Sequence, residues 1–302
     1  MGRPIIVAAL ALALGFTARP APAGDPPRIG VLAIGDDAET AAARAGLADG
    51  LRLAGLADST VERALPAGEA AAAEALREIE HEGVQVVVAV GTAASRLAQS
   101  TVRDRFVVCA AVGDADAAAL RLGGNACVVA GADPSSMVAE LRTAGLALRR
   151  VGVFVPSGDD AARASAQALA NATEVVVVAA VAQLPTDIDA VWLPPSVSDA
   201  DADAVARALK GRGLPLIGSR RAHLDAGCAV VVRADPRDLG ALAAVFAQKL
   251  LLGADAAKLP VRRTSRRLVE VNLPAAKRLE FRVPLTLMAW ADVVLRAKGV
   301  PR

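Results

Sequence analysis

The chain has 302 residues, with 34 basic against 32 acidic side chains and a formal net charge of +2. So balanced a charge excludes nucleic acid and anionic membrane as main partners, because both demand a concentrated positive field. The length allows two domains, and three cysteines make no disulfide framework.

The N-terminus comes first in the chain and bears on the compartment. Arg3, the apolar stretch from Ile5 to Phe16 and the small-residue segment ending Ala21-Pro22-Ala23 read as a secretory signal cut before Gly24. The apolar run is about a dozen residues, short of the roughly 18–20 that span a bilayer. The expectation is an exported, periplasmic chain carrying no lipid anchor, since no Cys follows the run.

Strands and helices then alternate. Arg28 to Ile34 reads as a strand, Ala38 to about Ala57 as an Ala-rich helix, Thr60 to Leu65 as a strand and Gly68 to Glu82 as a helix. Val84 to Val90 is nearly continuous Val, the pattern of a parallel strand buried on both faces. Gly91 to Ser95 turns into another helix, and Phe106 to Val112 and Cys127 to Ala130 read as strands. The pattern restarts at Asp133-Pro134, an N-cap followed by Pro at the first helical position. Strands follow at Val151 to Val155, Thr173 to Ala180, Ala190 to Leu193, Leu214 to Gly218 and Cys228 to Val232. Helices are expected at Asp159 to Asn171 and Ser198 to Gly211.

This alternation predicts an α/β fold of two similar lobes, each a parallel sheet flanked by helices, with a ligand cleft between them. Residues 24–131 with about 234–256 are assigned to one lobe, and 132–233 with about 257–302 to the other. Only about eight residues, Val181 to Ile188, separate two second-lobe strands, where a helical crossover needs a dozen or more. That lobe is expected to be trimmed.

The C-terminal third carries a resemblance. Leu268-Val269-Glu270-Val271-Asn272-Leu273-Pro274-Ala275-Ala276-Lys277-Arg278-Leu279, then Val283-Pro284 and Ala291-Asp292, resembles the ending of the ABC-transporter substrate-binding family that includes tryptophan and tyrosine binders. Ala89 to Ala94, Ala111 to Asp114, Arg149 to Val153 and Asp189 to Pro194 also resemble that family. The resemblance implies a type I periplasmic-binding-protein fold. It also implies an amino acid or similar small metabolite as ligand, and a membrane permease and ATPase as partners. Two residues depart from the pattern: Ala115 stands where Pro is common, and Glu280 where Gly usually follows the Leu of the motif.

Candidate ligand-binding residues lie at strand ends. The Thr92-Ala93-Ser95 turn offers backbone N–H groups and hydroxyls to a carboxylate at a helix N-terminus, or Thr92 simply caps the helix. Asp114 can pair with a ligand ammonium or be an ordinary turn residue. Gly35, Asp36 and Asp37 occupy the matching place after the first strand and line the cleft or cap the next helix, and Ser157, Ser196 and Ser219 occupy the equivalent ends in the second lobe. Asp199, Asp201 and Asp203 fail as a calcium loop, which needs Gly and Glu where Ala204 and Lys210 stand. Arg262-Arg263 and Arg266-Arg267 read as a solvated connection, with contact to an acidic partner as the alternative. Cys109 and Cys228 read as buried small hydrophobes, with a Cys109–Cys127 bridge as an alternative. Neither His81 nor His223 sits in a catalytic motif, so no enzyme, metal or cofactor is expected. With no Tyr and two Trp, the ligand is expected to be small and polar or aliphatic; Trp192 is read as packing in its lobe, with stacking on the ligand as the alternative, and Trp290 as anchoring the last helix. The chain is expected to be a monomer that captures solute for an importer. A periplasmic sensor or adaptor, or a degenerate member without a small-molecule ligand, remains open.

Overall fold

The structure is a computed structural model that describes residues 29–35, 37–65, 69–113, 120, 126–131 and 133–296. The expected signal segment lies outside them. Five parallel strands build most of the first sheet: β1 (Ile29–Ile34), β2 (Thr60–Leu65), β3 (Val86–Val90), β4 (Phe106–Val112) and β5 (Ala126–Ala130). From far along the sequence, β11 (Arg262–Arg263) adds in parallel beside β5, giving the order β11-β5-β4-β3-β1-β2. Every residue of β3 is buried, which is why its Val run needs no alternation. Helices α1 (Ala38–Leu53), α2 (Glu69–His81) and α3 (Thr92–Thr101) connect these strands.

The second sheet begins after α4 (Pro134–Thr143), which Asp133 caps by accepting from Ser135 N at 2.9 Å. It contains β6 (Arg150–Phe154), β7 (Glu174–Val178), β8 (Ala190–Trp192), β9 (Leu216–Gly218) and β10 (Val230–Ala234), all parallel where they pair. β12 (Arg267–Asn272) runs antiparallel to β10, and β13 (Val293–Leu295) closes the order β13-β12-β10-β9-β8-β6-β7. Between them lie α5 (Asp160–Leu169), α6 (Asp199–Ala208), α7 (Arg221–Asp225), α8 (Pro236–Leu251), α9 (Leu273–Arg278) and α10 (Leu285–Trp290).

The short link between β7 and β8 holds one 3-10 turn, Val181–Gln183, where a helix would normally cover the sheet. Two loop side chains take over that task. Leu184 and Ile188 are buried against Gly152, where a Cβ would come within 2.6 Å of Leu184 Cδ2 and 3.1 Å of Ile188 Cδ1. Trp290, expected as an anchor, is instead half exposed. Glu280 adopts φ 58°, the left-handed region that favours Gly, at the position where the resemblance expects Gly.

The chain passes between the sheets three times: at residues 131–133, at Asp235, and at 264–266 between β11 and β12. The last passage lies beyond the boundary expected near residue 257. Asp235 binds two passages together, accepting from Arg237 N at 3.0 Å and pairing with Arg266 Nε at 3.0 Å. Thr264 Oγ1 accepts from Arg266 N at 2.9 Å and donates to Asp238.

After the second passage α8 returns to the first sheet and packs on α1 at backbone contact. A Cβ on Gly46 would sit 2.0 Å from Arg237 O, and one on Gly240 would sit 1.9 Å from Ala43 O. Those obstacles are backbone atoms and cannot rotate away. Gly240→Ala is therefore expected to lose about 1–3 kcal/mol to overpacking, even though Ala is the better helix former by roughly 1 kcal/mol. A urea unfolding curve checks this. In the same assay Glu280→Gly should gain about 1 kcal/mol by relieving the left-handed conformation.

Candidate functional site

A cavity of about 440 Å³ lies where the carboxyl ends of β3, β4, β5, β8, β9 and β10 face one another across the two sheets. Its size suits a small metabolite. On the first-lobe wall, Gly91 turns the chain from β3 into α3 at φ 90° and donates its N–H to Ala110 O at 2.8 Å. That contact ties the N-terminus of α3 to β4. Thr92 follows, and its hydroxyl accepts from Gly113 N at 3.3 Å. Between Cys109 and Val112 the pairing of β4 shifts register, and Ala111 takes φ 53° as it reaches the cavity.

Asp37 caps α1 on the same wall. Its carboxylate accepts from Glu39 N at 2.9 Å, Thr40 N at 3.0 Å and the Thr40 hydroxyl at 2.7 Å. Burial alone would raise the pKa of Asp37, but these hydrogen bonds hold it below its usual value, so it stays ionised.

The second-lobe wall rests on His223, which is buried. Its Nε2 lies 2.9 Å from Val197 O, and Nδ1 accepts from Ser219 N at 3.2 Å. This pairing requires the neutral Nε2–H tautomer. Ser219 in turn donates its hydroxyl to Leu193 O at 2.7 Å. Trp192, Ser196, Ser219, Arg220 and Arg233 line this side.

One carboxylate joins the walls. Glu39, on α1 of the first lobe, accepts from Arg221 N at 3.0 Å and lies 3.5 Å from Arg233 Nη1; both partners belong to the second lobe. Arg233 also pairs with the buried Glu270 at 3.0 Å. Arg267, at the start of β12, lines the cavity and binds Glu140 and Ser136.

Of the residues singled out from the sequence, Thr92, Ser196 and Ser219 line this cavity. Gly35, Ala93 and Ser157 do not. Ser95 is buried and donates to Ala89 O at 3.2 Å, inside its own lobe. Asp36 and Asp114 lie outside the described residues. Asp37, read as lining the cleft or capping the next helix, does both. Sequence reasoning missed Glu39, Arg220, Arg233 and Arg267 as cavity residues. Reading Arg262, Arg263, Arg266 and Arg267 as a solvated connection fails at the last: the first three are exposed, whereas 9% of the Arg267 side chain is accessible.

No nucleophile–base pair forms around His223. Both its ring nitrogens are committed, and burial pushes the Cys228 thiol far up. Cys109 is a free, buried thiol that burial pushes up to about 11. Among the described residues no group of His, Cys, Asp and Glu can hold a metal ion, and no helix is long and apolar enough to cross a membrane.

The family model described as ABC transporter substrate binding protein matches residues 28–295, and the chain belongs to that family. Solved structures share the fold. A domain from Streptococcus pneumonia in complex with L-Trp is 22% identical, with a TM-score of 0.64 over 89% of this chain and 100% of that one. A ligand-free, open substrate-binding protein with adhesive properties from Clostridium difficile is 16% identical, with a TM-score of 0.72 over 90% and 100%. A periplasmic ribose ABC transporter protein from Conexibacter woesei is 14% identical, with a TM-score of 0.57 over 87% and 96%. No curated protein sequence matches the chain. The fold is that of the type I periplasmic binding proteins.

The buried imidazole generates a pH dependence. Burial is the main cause lowering the His223 pKa, against the opposing hydrogen bond to Val197. At pH 8 the ring is neutral both folded and unfolded and contributes nothing. As pH falls through the unfolded value of about 6.5, the unfolded chain gains a proton that the folded chain does not. Stability is thus expected to fall by up to about 1.4 kcal/mol per pH unit until the folded imidazole titrates. Urea unfolding between pH 8 and 5.5 should show this slope, and His223→Gln should flatten it.

Proposed function

We propose that this member of the ABC transporter substrate-binding proteins captures a small polar metabolite, an amino acid or similar, by closing its two lobes on it. It then delivers the ligand to a membrane permease driven by an ATPase. Exported through the N-terminal signal and cleaved before Gly24, it works in the periplasm. The lobes are residues 24–131 with α8 and β11, and the remainder around the second sheet.

The observation that carries this reading is the cavity walled by strand ends from both sheets and bridged by Glu39. Such a cavity is complete only when the lobes meet. A ligand touching both walls favours the closed form by its differential affinity for the two states. Trp192 is the one aromatic residue on the wall, and it is buried to 2% exposure, which leaves little ring face for stacking a sugar or an aromatic side chain.

Thermal unfolding of the mature chain, stripped of co-purified ligand, tests the reading against amino acids, small carboxylates, sugars and short peptides. A true ligand at about a thousand times its Kd adds roughly 4 kcal/mol, a rise in Tm of the order of 5–15 °C. No shift across the panel would contradict solute capture. Glu39→Ala removes the bridge between the walls, about 1 kcal/mol for a hydrogen bond and more for the ion pair. By lowering the closed fraction it should raise the apparent Kd about five- to tenfold in calorimetric titration.

A further inference from the structure

We infer that the pole of the second lobe opposite the cleft is a docking surface for an anionic lipid bilayer, built from five basic residues that the protein leaves without acidic partners. The cavity lies at the carboxyl ends of β8, β9 and β10. At their amino ends, the loop before β9 carries Lys210 and Arg212, and α9 with the turn after it carries Lys277, Arg278 and Arg282. Because β12 runs antiparallel to β10, α9 emerges at this same pole. Two main-chain bonds join the segments: Gly211 N donates to Arg278 O at 3.2 Å, and Gly213 N to Leu279 O at 2.8 Å. All five basic residues are exposed, and among the described residues none of their side chains pairs with a carboxylate.

Other cations of this lobe are matched: Arg149 with Asp189, Arg150 with Glu174 and Asp187, Arg207 with Asp203, and Arg221 with Asp225. Glu280 is the one acid on the two joined segments, and its Oε1 would lie 3.6 Å from a Cβ on Gly211. The even charge of the whole chain, which sets the membrane aside as its main partner, therefore averages over a local positive field. An apolar foothold stands beside that field. Leu285 is 79% exposed, and the adjacent Thr286 donates to Ala144 O at 2.6 Å, at the end of α4 on the same pole. Cations around an exposed leucine suit a bilayer surface, where lipid phosphates meet the charges and the interface receives the side chain. A soluble polyanion offers the leucine nothing to enter. With the cleft at the other end, lipid here leaves the cavity unobstructed, so the inference does not depend on what the cleft captures.

The experiment is co-sedimentation of the mature chain with vesicles of phosphatidylcholine alone and of phosphatidylcholine mixed with phosphatidylglycerol, at low and at physiological salt. Binding is expected to the anionic vesicles only, and to weaken as salt rises. Each cation near such a surface is worth about fivefold in partitioning. Lys210→Gln, Lys277→Gln and Arg282→Gln combined should therefore weaken binding at least tenfold. Arg52→Gln, Lys249→Gln and Lys258→Gln combined remove the same charge from the first lobe and should leave binding within about twofold. Glu280→Gly, which deletes the lone carboxylate, should strengthen binding several-fold. Leu285→Ser should weaken binding to vesicles several-fold but not binding to soluble polyglutamate. Circular dichroism melting reports whether each variant folds. No binding to anionic vesicles, equal binding to phosphatidylcholine alone, or an equal loss in the two triple variants would overturn the inference. Polyglutamate that binds as tightly as the anionic vesicles, with Leu285→Ser affecting neither, would assign the pole to an acidic peptide and overturn the lipid.

Discussion

The backbone contact between α1 and α8 is the constraint on which the rest depends. Gly46 and Gly240 let two helices approach until a Cβ on either would collide with the other's main chain. One of these helices opens the first lobe and the other returns from the second sheet, so their contact fixes where the passages between lobes lie. Asp37 and Glu39 stand at the N-terminus of α1, and Asp235 and Asp238 at that of α8. The helix ends that border the cavity are thereby carried on one rigid pair, and the passages beside them are held by Asp235–Arg266 and Thr264–Asp238.

Charge in the cleft is abundant but mostly paired. Glu39, Arg233, Glu270 and Arg221 form a connected set that spans the walls, with Glu270 buried at its centre. Desolvating such groups is expensive unless geometry and hydrogen bonds compensate, so a set like this specifies an arrangement more than it adds stability. Here the arrangement is contact between lobes. Under the proposed closure, the set would supply part of the closed state's free energy and a ligand the rest, through whatever it touches on both sides.

Much of the fold was legible because it follows from local chemistry. The Val run of β3, the Asp133-Pro134 start of α4 and the strand–helix alternation each report their own burial or capping. Even the missing crossover helix in the second lobe was visible as a short spacing, although not that Leu184 and Ile188 would fill its place. The departure at Glu280 falls on a left-handed residue, which a motif comparison can locate but not explain.

The candidate site was less legible. Thr92, Ser196 and Ser219 sit on the cavity because strand ends are predictable, but the charged residues do not announce themselves. Glu39 looks like any acid in a first helical turn, and its partner Arg221 is 182 residues away in sequence. Arg267 was hidden in two neighbouring arginine pairs whose other three members are exposed; only the antiparallel return of β12 buries it. Ser95 shows the opposite error, since helical geometry turns it inward from a correctly placed helix start.

Closure on a bound solute is the central claim, and an interlobe distance measures it most directly. Spin labels on cysteines introduced at the exposed Ala48 of α1 and Ala204 of α6 would report that distance by double electron–electron resonance. With the most strongly stabilising solute added, the account predicts a shorter and narrower distance distribution than in the stripped protein. An unchanged distribution at saturating solute would contradict it.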